Sequence, residues 1–289
     1  MNPHTVEAIN IGVHAVGALT ALVLLVQLFR SGRWRDPLAE HGWTHRGPHL
    51  LHAAAAFLLY LILAQILIAA LEITFDTDAM LNKPGSLDWY AVAGAGATAQ
   101  LLTCALMVVI LAARRPFAGE SSRRVGLAGA LWVGLVAALV VIPLCTVQLQ
   151  MDQVAWKWLR PDAVPPVHPT MQALHDSEWD WRGPVQLFVV ALAVAPVYEE
   201  LFFRGVLLGG IWTATRRTWV AVGLSGLLFG LMHVGQPQTV LPLVTMGVVL
   251  GYVRVRYRSL TACVLAHSLF NARTMVMLYL APELLTPGS

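Results

Sequence analysis

The chain has 289 residues, 57% of them hydrophobic and 12% charged, with a mean hydropathy of +0.65 and a formal net charge of +3. A soluble globular domain is about half apolar and a quarter charged, so these values exclude that class and identify an integral membrane protein. The basic residues are spread over short turns rather than gathered in a patch, which argues against nucleic acid as a partner.

A membrane-spanning helix needs about 20 apolar residues. The pattern predicts an all-α polytopic fold of about eight such helices, at 6–29, 48–73, 90–113, 125–148, 184–212, 219–235, 239–255 and 260–281. The first is expected to remain in place, since its apolar run is too long for a signal peptide and Met1 to Glu7 carries no Lys or Arg. In the loop that follows, His41, His45 and His49 recur every four residues, as metal ligands on a helix would. Gly42, Gly47 and Pro48 oppose a continuous helix there, so an interfacial loop is expected.

Loop charge alternates along the chain. One set of loops holds Arg30, Arg33, Arg35, Arg46, Arg114, Arg115, Arg123, Arg124, Arg216, Arg217, Arg254, Arg256 and Arg258; the other holds only Lys83, Lys157, Arg160 and Arg182. Cytoplasmic loops are the Lys- and Arg-rich ones, which puts both termini outside the cytoplasm. Short loops and a compact chain favour a prokaryotic plasma membrane. Cys104, Cys145 and Cys263 fall in or beside apolar spans without Cys-x-x-Cys spacing, and read as small buried apolar residues.

The organisation is therefore four leading spans in 1–148, a polar extracytoplasmic connection at 149–183, and four trailing spans in 184–289. The connection carries Trp156, Trp158, Trp179 and Trp181 among acidic residues and the prolines Pro161, Pro165, Pro166 and Pro169. Trp favours the headgroup level, so the segment is expected to lie on the outer surface, with a substrate-entry element as the functional alternative.

The chemistry is concentrated in the trailing half. Glu199 and Glu200 lie inside an apolar run, where charged groups are costly and mark functional sites. Residues four apart share a helix face while adjacent ones diverge by about 100°. Glu200 can thus pair with Arg204, which leaves Glu199 pointing elsewhere as the reactive carboxylate. Pro196 cannot donate to the carbonyl of Leu192, so a kink or a freed acceptor is expected beside the pair.

By the rise of ~1.5 Å per residue, Glu199 lies about 20 Å and His233 about 21 Å from the cytoplasmic ends of their spans, so the two can meet at one depth. His267 and Asn271 are one turn apart on the last span, and both can donate hydrogen bonds. A carboxylate base, a nearby imidazole and two oxyanion donors could let water attack an amide carbonyl without a covalent intermediate.

These residues resemble the motifs of the CAAX prenyl endopeptidase and bacteriocin-processing (CPBP, or Abi) membrane proteins. The family's Glu-Glu-x-x-x-Arg stands here as Glu199, Glu200 and Arg204, its Phe-x-x-x-His as Phe229 and His233, and its His-x-x-x-Asn as His267 and Asn271. The likeness covers about 184 to 281. It implies a multi-span helical fold with an intramembrane cavity and hydrolysis of membrane-associated, in some members prenylated, proteins or peptides. Glu199 and His233 would activate water, His267 and Asn271 would form the oxyanion hole, and Glu200 and Arg204 would order the site, with no cofactor.

Three other readings compete with this one. A zinc peptidase would use Glu199 or Glu200 with His233 and His267 as ligands, although no His-Glu-x-x-His is present and Arg204 would repel the ion. A non-catalytic peptide-binding or immunity protein would keep its function without Glu199. A proton-coupled transporter lacks the repeat expected of many transporters.

Overall fold

The computed structural model describes residues 47–72, 84–115, 125–159 and 181–280, with isolated positions between 12 and 43 and at 117 and 173. Every regular element among the described residues is helical: α1 (Leu50–Glu72), α2 (Leu87–Arg114), α3 (Leu127–Leu159), α4 (Arg182–Thr215), α5 (Thr218–Leu231), α6 (Pro237–Tyr257) and α7 (Leu260–Leu280). Helices are the form in which a lipid-surrounded backbone satisfies its own polar groups. The one β contact described is an isolated bridge between Trp43 and Phe117.

Five helices, α1, α2, α3, α4 and α6, are long and apolar enough to cross a membrane. The helix α5 has 14 residues, about 21 Å at the α-helical rise, against a hydrocarbon core of about 30 Å. Its expected end at 235 is too late, because the chain turns after Leu231 toward Pro237. The expected span at 6–29 lies outside the described residues apart from isolated positions, as do His41 and His45. His49 is described, and its ring stacks on His52 at 5.7 Å.

Helix α3 continues past its expected end, so residues 149–159 of the supposed connection are helical. Trp158 on that extension is 82% exposed, and Trp181 beyond it 67%. The connection touches the bundle at Ala173, whose carbonyl accepts from the Tyr90 hydroxyl at 3.2 Å.

The outward faces are apolar. Leu51, Leu58, Ile62 and Ile66 of α1 and Leu101, Val108 and Val109 of α2 are all exposed, and α1 buries only Ala53 and Ala56. Contiguous apolar surface of this extent belongs against lipid. In the interior α5 lies along α6, and α3 along both α6 and α7. Small residues set these distances: a Cβ on Gly247 would stand 2.6 Å from the Gly226 Cα, and one on Gly134 2.8 Å from the Ala262 carbonyl oxygen.

Three helices stop in the same way. Arg115, Arg216 and Arg258, each directly after α2, α4 and α6, adopt positive φ of 34°, 57° and 54°. Aromatic rings join these ends: Trp43 stacks on Trp212 at 4.9 Å and meets Phe117 at 4.6 Å, while Arg216 lies over Trp212 at 4.9 Å and Arg258 over Phe117 at 5.5 Å.

Gly226→Val should destabilise the bundle by about 1–3 kcal/mol or more, because α5 and α6 must separate to admit the side chain. Gly223→Ala, on the same helix with nothing within 4 Å of its Cβ position, should be neutral or stabilising. Thermal unfolding of the two variants in detergent checks the contrast.

Candidate active site

The helix α4 is not a uniform α-helix. It runs α from Arg182 to Val189, π from Val190 to Val194, α from Ala195 to Glu200, π from Leu201 to Leu207, and α again from Leu208 to Thr215. The two carboxylates sit between two wide turns, a form of helix found mostly as short insertions at functional sites.

Glu200 is fully buried and Arg204 is 1% exposed. Arg204 Nη1 donates to Glu200 Oε1 at 2.8 Å, the pairing anticipated from their spacing. The same oxygen lies 2.9 Å from His267 Nδ1. A carboxylate offers only lone pairs, so Nδ1 carries the hydrogen in this contact. The other ring nitrogen, Nε2, then faces Glu199 Oε2 at 3.8 Å, beyond hydrogen-bonding range. Glu199 keeps 20% of its side chain accessible where Glu200 keeps none.

Phe229 organises the remaining groups. Its ring is completely buried and stands edge-on to His267 at 5.7 Å and to Phe203 at 5.1 Å, with the Arg204 guanidinium over its face at 4.4 Å. His233 lies 5.3 Å from the same ring. It follows the end of α5, and its Nδ1 meets the Phe229 carbonyl at 2.9 Å. That carbonyl is one of the unpaired acceptors at a helix end, so Nδ1 holds the hydrogen and Nε2 is left as an acceptor.

Asn271 donates from Nδ2 to the Ala191 carbonyl at 2.8 Å. The reason lies in the first π stretch. Ala195 N–H reaches back five residues to Val190 O, and the next residue in that register is Pro196, which has no N–H to give to Ala191. The acceptor freed by Pro196 is therefore Ala191, one residue earlier than an α-helical count gives, and the amide of Asn271 takes it.

Glu199, Glu200, Arg204 and His267 thus form one connected group, His233 joins it through Phe229, and Asn271 reaches it through the backbone of α4. Two residues overlooked in the sequence also touch the helix that carries the carboxylates. Tyr60 of α1 packs on Tyr198, the neighbour of Glu199, at 5.2 Å. Its signal was a phenol hydroxyl in the middle of a largely apolar span. Ser225 donates to the Phe203 carbonyl in the second π stretch at 3.0 Å.

Asn271→Ala should lower stability by about 1–3 kcal/mol, the cost of leaving a part-buried acceptor without its donor. Pro196→Ala supplies an N–H to the same carbonyl, so the double variant should lose less than the sum of the single losses. A double-mutant cycle on thermal unfolding in detergent measures that coupling.

Residues 181–273 match a family model described as Type II CAAX prenyl endopeptidase Rce1-like. No curated protein and no solved structure matches the chain. The matched stretch starts one residue before α4 and ends two residues beyond Asn271, so it takes in all three motifs, including both partners of Glu200. The helices that build the site, α4 to α7, are thus similar over 181–273 to the Rce1-like model of the Type II CAAX prenyl endopeptidases, the family that the three motifs resemble.

Proposed function

We propose that the chain is a glutamate-dependent intramembrane endopeptidase acting on membrane-associated proteins or peptides, prenylated carboxyl-terminal segments among them. The observation that carries this reading is the division of labour between adjacent carboxylates. Glu200 is sealed and held by Arg204 and His267, while Glu199 is accessible and meets His267 only at 3.8 Å.

In this mechanism a water held by Glu199 and the acceptor nitrogen of His233 gives a proton to Glu199 as its oxygen attacks the scissile carbonyl. The carbonyl oxygen becomes an oxyanion. Asn271 has a second amide hydrogen beyond the one given to Ala191, and His267 donates from Nε2 when doubly protonated; both serve that oxyanion. The proton on Glu199 passes to the departing amine as the C–N bond breaks. No covalent enzyme intermediate and no metal is needed, and a divalent cation at these carboxylates would be repelled by the Arg204 guanidinium. The same reading keeps eight spans with both termini outside a prokaryotic plasma membrane.

Glu199→Gln should slow cleavage about 10²–10⁴-fold with the fold intact. The measurement is cleavage of a quenched-fluorescent peptide library, half of it prenylated, by purified wild-type and variant protein with and without chelator. Equal cleavage by both proteins would sink the mechanism, and loss to chelator reversed by zinc would transfer the activity to a metal. His267→Ala should slow turnover about 10²-fold as an oxyanion donor. Arg204→Ala should instead lower the yield of folded protein by about 3–5 kcal/mol of lost stability, because it strands Glu200 without its cation.

A further inference from the structure

The second π stretch of α4 poses the same backbone problem as the first. Leu208 N–H reaches back five residues to Phe203 O, and the α-helix resumes at Leu208. The carbonyl of Arg204 is the first one past this series. The donor on it is the side chain of Arg254, whose Nε lies 3.3 Å from Arg204 O.

The contact is built into the packing of α6 on α4. Gly251 of α6 faces α4 at ordinary contact distance, since a Cβ there would stand 3.5 Å from Leu208 Cδ1, and it packs more tightly on Val222 of α5, at 3.2 Å. Arg254 is one turn further on, and side chains on a helix lean back toward its N-terminus, which carries the guanidinium past Gly251 to Arg204. Arg254 is 6% exposed, and its guanidinium rests over the Phe117 ring at 4.8 Å. By its place in the sequence it counts among the basic loop residues; in the structure it belongs to the buried face of α6 with Met246, Gly247 and Leu250.

We propose that Arg254 is a positioning residue for the catalytic carboxylates, holding the second π stretch in register through the Arg204 carbonyl as Asn271 holds the first through Ala191. The two clamps lie on either side of Glu199 and Glu200. Arg254 fixes the backbone from which the Arg204 guanidinium reaches Glu200 Oε1, and that oxygen in turn orients His267 toward Glu199. Releasing it lets the π turn slip toward α-helical register and rotates Arg204 away from Glu200. Arg254 lies outside the three motifs, and its role rests on the reading of Glu199 and Glu200 as a peptidase site.

The test uses the full chain in detergent with Arg254→Met, Arg254→Lys and Arg254→Gln, and Arg256→Met as the control. Two quantities are read: kcat and KM on a cleaved peptide, and amide hydrogen exchange over residues 205–212. Arg254→Met should lower kcat about 10- to 100-fold, the scale of a small misplacement of reacting groups. KM should stay within about twofold, since Arg254 does not touch substrate, and exchange over 205–212 should accelerate. Lys or Gln, each able to donate to the carbonyl, should restore part of both, and Arg256→Met should change neither. A folded Arg254→Met with wild-type kcat and exchange overturns the proposal, as does a loss that neither Lys nor Gln relieves. Should Arg254→Met fail to fold, accelerated exchange and lowered kcat in the Gln variant, smaller in Lys, support it, and wild-type values in both overturn it. If the wild-type protein cleaves nothing, the peptidase reading fails, and unaltered exchange in the Arg254 variants separately overturns the clamp.

Discussion

A carboxylate with no access to water, inside a helix whose neighbours are apolar, cannot stay charged without partners, and Glu200 is that group. One of its oxygens receives Arg204 from its own helix and His267 from α7. This shared acceptor decides which way the imidazole faces, and through it what Glu199 meets. It also locks α4 against α7, because separating them would leave a buried ion with half its contacts, and uncompensated buried charge costs several kcal/mol. Phe229 closes the arrangement from α5 by offering its face to Arg204 and its surroundings to both histidines. Three helices, α4, α5 and α7, are thus tied to one oxygen atom and one ring.

The backbone of α4 has been adjusted to make this possible. A regular α-helix carrying Pro196 would free the carbonyl four residues back; the wide turn before it moves the freed acceptor to Ala191, where α7 supplies an amide. The second wide turn leaves the Arg204 carbonyl to Arg254 of α6, and Ser225 of α5 adds a second donor to the Phe203 carbonyl. Every trailing helix contributes one side chain to the main chain of α4. Such hydrogen bonds are individually modest, about 1 kcal/mol net, but each is expensive to leave unmade in a dry interior. They hold the carboxylates in place without occupying the carboxylates themselves.

Much of this was legible in the sequence for definite reasons. The Glu200–Arg204 pair follows from a four-residue spacing, and the membrane helices follow from apolar runs, because both are local. The end of α5 was placed too late, since hydropathy continues through Met232 and Val234 while the chain turns toward Pro237. The extension of α3 was missed because Trp and charged residues near an interface read equally well as loop. The π turns were invisible, since their sequences, Val190 to Val194 and Leu201 to Leu207, differ little from ordinary helix. Arg254 reads as a loop residue from its neighbours in sequence, Arg256 and Arg258, while its environment is set by the Arg204 carbonyl and the Phe117 ring. Non-local packing is what a linear pattern cannot encode.

The three arginines that end α2, α4 and α6 bear on how the chain enters a bilayer. A side chain in the left-handed region costs about 1 kcal/mol or more relative to glycine, which adopts it freely. Glycine at Arg115, Arg216 and Arg258 would therefore relax the backbone at all three helix ends. It would also remove three positive charges from the same set of loops, and those charges are what an insertion machinery reads when it decides which side a segment stays on. At Arg216 and Arg258 the guanidinium also rests on Trp212 and Phe117, so there the exchange for glycine would give up a ring contact together with a loop charge.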